Sequence, residues 1–310
     1  MSTPTPDRTL FGISLMLSFC ALAPLIDVFS KLAAEELPVG QVTAARYVVQ
    51  AAVLFVVLGL LRISFDWQMR HLAALFGAAA LSLGSTYFFV AALTKMSIAD
   101  TLAIVFVEPF ILLLIGHFAF GHTIGWRRLS ASVVGFIGVL LIIRPTFEEV
   151  GAIAFLPLGT ALCFALYMVE MRRLSQTINP VALQFQVALA ATILSLPLLI
   201  VLKDTGWLTM GLEWPEGIYW VWILAIGASS SVTHLLLTNA LKNATATVLA
   251  PLHYLELVSA TIFGYLVFGD FPDGMKLAGI AVVIGAGLYV IHRERLAKAP
   301  AQPVTSLPKE

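Results

Sequence analysis

An apolar run of about 20 residues constrains this chain most, because it recurs along the whole sequence with hardly a gap. A helix rises 1.5 Å per residue, so about 20 apolar residues cross the ~30 Å hydrocarbon core of a bilayer. Runs of that length fall near residues 10–33, 38–61, 72–93, 99–119, 127–144, 151–173, 180–202, 217–240, 247–267 and 275–292. The breaks are short and carry charges or turn residues: Glu35-Glu36, Arg70-His71, Arg127-Arg128, Arg144-Pro145, Arg172-Arg173, Asn179-Pro180, Pro215 and Pro272-Asp273-Gly274. In hydrocarbon every backbone N–H and C=O needs a partner within the protein, and a helix satisfies that need span by span. The expected fold is an all-α integral membrane protein with ten transmembrane helices.

Composition narrows the function classes. Of 310 residues, 59% are hydrophobic and only 12% charged, too few to coat a soluble surface. A net charge of zero excludes the basic field that nucleic-acid binding requires. Cys20 and Cys163 lie in apolar runs without a second thiol or histidine at ligand spacing, and read as packing residues. His117 and His122 lack a third ligand, so neither metal nor cofactor is expected. No G-x-x-x-x-G-K-[ST] loop is present, which excludes ATP hydrolysis by this chain. The first apolar run continues past Pro24 to about Ala33, so it reads as a retained span rather than a cleaved leader.

Lysine and arginine placement sets the orientation. With the N-terminus inside, the inward side collects most of them, and the outward side only Lys31, Lys95, Arg144, Lys203 and Lys276. Both termini are therefore expected in the cytoplasm, with a short tail over 1–9 and a disordered one over 293–310.

The two halves repeat. A shift of 148 residues places Ala92-Leu93 on Ala240-Leu241, Glu108 on Glu256, Gly116 on Gly264, and Phe120-Gly121 on Phe268-Gly269. A shift of 142 places Lys31-Leu32 on Arg173-Leu174 and Pro38-Val39 on Pro180-Val181. Five spans is an odd number, so the second half, 146–292, enters the membrane from the side opposite to the first, 10–145: an inverted repeat. Glu108 and Glu256 each lie about nine residues from a membrane face, roughly 13 Å deep at 1.5 Å per residue.

Ten spans, inward termini and an "AL…G…FG" pattern in each half resemble the drug/metabolite transporter superfamily, specifically its EamA-type members. The stretch "DVFSKLAAEELPVGQVTAARYVVQ" is similar to members that carry riboflavin or other heteroaromatic metabolites in bacteria. The resemblance implies a multi-pass protein of the bacterial inner membrane that moves a small molecule by alternating access, with a flat heteroaromatic such as riboflavin as substrate. Export of amino acids, drugs or other metabolites on the same fold is the alternative. An integral-membrane lipid-modifying enzyme is the alternative of another class, disfavoured by isolated acids near mid-depth and short loops. Family members often carry Glu after each "FG"; here His122 and Asp270 stand there, so that role is not carried over.

Ionisable groups in a span cost about 2.5–3.5 kcal/mol each on insertion scales, so each needs a partner, a cavity or a purpose. Asp27 lies at the depth of Arg46, and the two read as an ion pair, either a clasp between spans one and two or a pair facing the substrate. Lys31 is expected to snorkel to the surface. Glu108 reads as an acceptor for neighbouring hydroxyls, or as a cavity carboxylate that binds substrate or carries a proton. Pro109 beside it is expected to kink span four and free a carbonyl. His253, Tyr254 and Glu256 share a face of span nine, with Pro251 as the matching break, and form the strongest candidate cluster. His234 corresponds to Thr86, beside Tyr87, under the 148-residue shift; these offer hydrogen bonds to a cavity, or plain helix contacts. Glu170 is expected to balance Arg172 or Arg173. Phe88, Phe89, Phe106, Tyr167 and Tyr254 are available to stack on a flat substrate, although most span phenylalanines face lipid or core. Ala131 with Gly135, and Ala281 with Gly285, have the small-residue spacing that lets helices pack closely, and are compatible with a homodimer.

Overall fold

The computed structural model describes residues 6–65, 69–120, 126–202, 209–244, 249, 252–253 and 255–298. Among these residues the chain is helical, without a strand. The helices are α1 (Pro6–Ala33), α2 (Val39–Leu61), α3 (Met69–Leu93), α4 (Ile98–Val105), α5 (Glu108–Phe120) and α6 (Trp126–Val150). A 3₁₀ turn (Gly151–Phe155) leads into α7 (Leu156–Leu174), followed by α8 (Pro180–Leu202), α9 (Tyr219–Asn243), α10 (Leu255–Phe268) and α11 (Gly274–Lys298). Six described helical segments are long and apolar enough to cross a membrane, among them Leu10–Ala33, Val39–Leu61 and Tyr219–Asn243. Leu255–Phe268 and Gly274–Ala286 are shorter apolar helices. α11 continues to Lys298, beyond the limit at 292 expected for the last span.

Polar residues and glycines at the breaks start and stop the helices. Asn179 accepts from the Val181 N–H at 2.9 Å, and Pro180, which has no N–H to leave unpaired, begins α8. Asp273 accepts from the Lys276 N–H at 2.8 Å and caps α11. Ser97 accepts from the Asp100 N–H at 3.0 Å and caps α4. Gly151 (φ +65°) follows α6 and Gly269 (φ +72°) follows α10, both in the left-handed region that a Cβ disfavours.

The bundle is held by helix crossings rather than by sequence neighbours alone. α1 packs on α9, α3 on α7, α2 on α8, and α6 on α11. α2 also meets α9, and α3 meets α8, while α10 packs on α1, and α4 and α5 pack on α7. The α2–α9 crossing is close: a Cβ on Gly227 would collide with the Val49 side chain and stand 3.1 Å from the Gln50 nitrogen. The α6–α11 crossing is similar, since a Cβ on Gly138 would meet the Gly279 carbonyl oxygen at 3.1 Å. Tyr47, Tyr167 and Phe106 are the largest side chains sealed inside.

Candidate functional site

Span four is not one helix. α4 ends at Val105, and α5 begins at Glu108 with Pro109 next. Proline has no N–H and clashes with the carbonyl four residues back, so the helix restarts here. The Val107 N–H bonds the Ile104 carbonyl at 3.1 Å, a tight closure that ends α4. Glu108 therefore stands in the first turn of a new helix, where unpaired N–H groups favour a negative charge by about 0.3–1 kcal/mol. Glu256 stands in the first turn of α10. The two acids equated by the 148-residue shift thus share one local setting, and both are buried, at 4% and 7% exposure.

His253 lies one turn before Glu256, and its Nε2 meets the Glu256 Oε2 at 2.9 Å. The start of α10 is tied to α1 by two contacts. The Cys20 thiol donates to the Leu252 carbonyl at 3.1 Å, and the Ser259 hydroxyl donates to the carbonyl of Cys20. Three phenyl rings surround the imidazole: the centroids of Phe19, Phe106 and Phe164 lie 5.7, 5.5 and 6.5 Å from that of His253.

Arg46 projects from α2 and joins two other helices. Its guanidinium donates at 2.7 Å to the Thr86 Oγ1 on α3 and at 2.7 Å to the His234 Nε2 on α9. An arginine can only donate, so His234 Nε2 is the acceptor and the ring proton sits on Nδ1. Thr86 is also bonded at 2.8 Å to the Tyr47 hydroxyl, which bonds Ser82 at 2.8 Å. The positions related by the 148-residue shift, 86 and 234, converge on one guanidinium. Among the described residues, Arg46 Nε and His234 Nδ1 are buried without a hydrogen-bond partner.

These groups meet at a cavity of about 120 Å³, whose wall includes Asp27, Arg46, Glu108, His234, His253 and Glu256. Pockets that enclose drug-sized ligands run to roughly 300–1,000 Å³, so an organic substrate needs the surrounding helices to part. Six of the eight candidates read from the sequence thus line one space. Tyr87 is not among its lining residues; it packs in the apolar cluster of Ile26, Val90 and Ile226. Tyr254, Pro251 and His122 lie outside the described residues, as do the side chains of Pro109 and His117. Among the described residues, no three His, Cys, Asp or Glu side chains are arranged to hold a metal ion.

Two expected pairings are not formed. Arg46 is engaged by Thr86 and His234 rather than by Asp27, whose carboxylate faces the cavity. A span's depth predicts proximity, but not which way a long guanidinium turns. Lys31 stands in the last turn of α1 at the end of the bundle, where its Nζ pairs with the Asp270 Oδ2 at 2.8 Å and lies 4.4 Å from the Phe268 ring centre. Among the described residues Glu170 Oε2 is buried without a hydrogen-bond partner, and neither Arg172 nor Arg173 bonds it.

The sequence reading overlooked Phe19, Phe164, Tyr47 and Ser82. The two phenylalanines carry no signal that separates them from lipid-facing ones. Ser82 and Thr86 do, because polar residues four apart mark one face of α3. A second group lies at the end of the bundle where α1 and α10 finish. Lys276 meets Asp100 at 3.2 Å and Glu149 at 3.1 Å, beside the Lys31–Asp270 pair, around a cavity of about 420 Å³.

The model of the EamA-like transporter family matches residues 10–144 and 151–292. An S-adenosylmethionine uptake transporter of Rickettsia felis is 28% identical over 229 residues, covering 74% of this chain and 72% of that protein. A riboflavin transporter of Rhizobium johnstonii is 26% identical over 302 residues, covering 96% of each chain. One solved crystal structure shares the fold at 18% identity and a TM-score of 0.62, over 94% of this chain and 99% of that one.

Proposed function

We propose, because the chain belongs to the EamA-like transporter family, that it moves a small organic metabolite across the bacterial inner membrane by alternating access about the central cavity. It is a multi-pass membrane transporter, not an enzyme. The observation that carries the site assignment is the convergence of Asp27, Arg46, Glu108, His234, His253 and Glu256 on one cavity.

The architecture we infer is ten spans in two inverted halves, 10–145 and 146–292, with both termini cytoplasmic. Two observations support it. The family model matches once in each half. The helix crossings also pair off when the halves are exchanged: α1 on α9 becomes α7 on α3, α1 on α10 becomes α7 on α4 and α5, and α2 on α8 maps onto itself. Exchanging the conformations of two such halves opens a central site first to one side and then to the other.

For the substrate we infer a flat heteroaromatic metabolite. Relatives named for riboflavin and for S-adenosylmethionine support this, since both compounds carry a fused heteroaromatic ring. Phe89 and Phe106 on the cavity wall offer faces for it.

Uptake by proteoliposomes containing the purified chain tests the reading. Glu108→Gln and Glu256→Gln are each expected to cut uptake at least ~10-fold, with unchanged membrane insertion; Glu256→Gln also removes the charge that His253 meets at 2.9 Å, a contact of a kind worth about 1.5–3 kcal/mol. Normal uptake by both variants over a range of pH would make the two carboxylates structural.

A further inference from the structure

Two cavities are stacked along α1 and α4. Asp27 and Ser30 of α1, with Leu102 and Val105 of α4, line the central one. Lys31 and Asp100 of the same two helices line the larger one, of about 420 Å³. The steps from Asp27 to Lys31 and from Asp100 to Val105 each cover roughly 6–8 Å at 1.5 Å of rise per residue. The larger cavity thus lies about one helical turn beyond the central one, toward the end of the bundle where α1 finishes and α2 starts.

That end is closed in two different ways. Around the larger cavity the closure is ionic: Lys276 of α11 holds Asp100 of α4 and Glu149 of α6, and Lys31 of α1 holds Asp270. Lys276 and Asp100 are buried, whereas the Glu149 side chain is 56% exposed. An apolar plug that parts must show its apolar surface to water. An ionic plug exchanges each partner for hydration, and the attraction within a buried pair is roughly offset by its desolvation. Such a closure suits a passage that is dry in one state and wet in the other. Over the start of α2 the closure is made of backbone bonds and close packing. The Gln41 amide donates to the Glu213 carbonyl at 2.6 Å and accepts from the Glu213 N–H at 2.7 Å. Gly211 lies against the Pro38 ring, and Gly40 against the Met210 sulfur. Parting this strap would strip two backbone groups of their partners with nothing ionic to hydrate in exchange.

Resting on the transporter reading of the central cavity, we propose that the larger cavity is the passage between that cavity and the water at this face, with Lys276 as its gate residue, while the α2 side stays shut. Lys31, Lys95, Asp100, Glu149, Asp270 and Lys276 line it. A wall so charged takes a polar, hydrated solute arriving from water, not an apolar one arriving sideways from lipid. Its three lysines and three acids balance, so the passage admits solutes of either sign and leaves selection to the central cavity.

Labelling of a single thiol tests the route without a transported solute. Cys20 and Cys163 are replaced by serine, Ser85→Cys sets the thiol on the central cavity wall, and a membrane-impermeant thiol reagent is added outside spheroplasts expressing the chain. Glu149→Trp puts an indole, which buries ~150–250 Å², into a passage of about 420 Å³, and is expected to slow labelling ~10-fold or more. Leu212→Trp, on the exposed side of the strap, is expected to leave the rate within about twofold. Lys276→Gln leaves Asp100 and Glu149 without their cation and is expected to speed labelling ~10-fold or more, with Lys276→Arg close to native. An unchanged rate in Glu149→Trp, equal slowing in Glu149→Trp and Leu212→Trp, or no gain in Lys276→Gln overturns the passage and leaves the transporter reading standing. The expected labelling pattern without uptake of riboflavin or S-adenosylmethionine by proteoliposomes would support the passage and count against that reading alone.

Discussion

The Lys31–Asp270 pair joins the end of α1 to the residues after α10, on the face that the proposed orientation makes external. Removing it by Asp270→Asn is expected to loosen that face. At 2.8 Å the bare attraction is about 6 kcal/mol for an effective dielectric of ~20, falling to about 1.5 kcal/mol in water. The Lys31 and Asp270 side chains are 18% and 35% exposed, so solvent screening and side-chain entropy hold the net value near the low end. The Phe268 ring under the ammonium survives the substitution and keeps part of the contact. About 1–2 kcal/mol remains to be lost, a ~5- to 30-fold shift toward the externally open form.

Cysteine labelling reads this population directly. In a chain with Cys20 and Cys163 replaced by serine, Ser85→Cys places one thiol on the cavity wall. A membrane-impermeant thiol reagent added outside is expected to label it ~5- to 30-fold faster in Asp270→Asn than in the native background. Exchange of the two residues, Lys31→Asp with Asp270→Lys, is expected to return the rate toward the native value. An unchanged external rate in Asp270→Asn would refute the latch, and faster labelling from the cytoplasmic side alone would refute the assigned face.

Two further outcomes rest on single contacts. Arg46→Lys keeps the charge, but one ammonium cannot span Thr86 on α3 and His234 on α9, so uptake is expected to fall ~10- to 100-fold, the worth of one charge-assisted hydrogen bond; uptake within twofold of native would show that the bridge is dispensable. Gly227→Leu drives a side chain into Val49 and the α2 backbone, and is expected to destabilise by about 1–3 kcal/mol and lower the melting temperature in detergent by several degrees; an unchanged melting temperature would mean that α2 and α9 pack elsewhere.

Helices and their ends were legible because apolar length and turn residues are local signals. Asn179-Pro180 and Asp273 act within two or three residues of where they stand. The acids were legible too, since a carboxylate in hydrocarbon is scarce enough for its recurrence at 108 and 256 to stand out. Partners were not. Asp27 and Arg46 share a depth, yet the guanidinium turns to residues 40 and 188 positions away. Lys31 finds Asp270, 239 positions away, because α10 packs on α1, a crossing that no local pattern announces. The phenyl cage around His253 was invisible for the same reason, since α1, α7 and the α4–α5 break each contribute one ring.

What the sequence shift equates and what it does not then separates frame from chemistry. Glu108 and Glu256 match under the 148-residue shift and share a first-turn setting, and Thr86 and His234 match and share one partner. That partner does not repeat: under the 142-residue shift Arg46 falls on Ala188 and Asp27 on Val169. A binding space built only from matched residues would present the same groups to a substrate from both sides. Here the guanidinium comes from the first half alone, so a substrate with unlike ends has one preferred orientation in the cavity. In the proposed alternating-access cycle, exchange of the two halves then reverses which side the cavity faces without reversing the substrate within it.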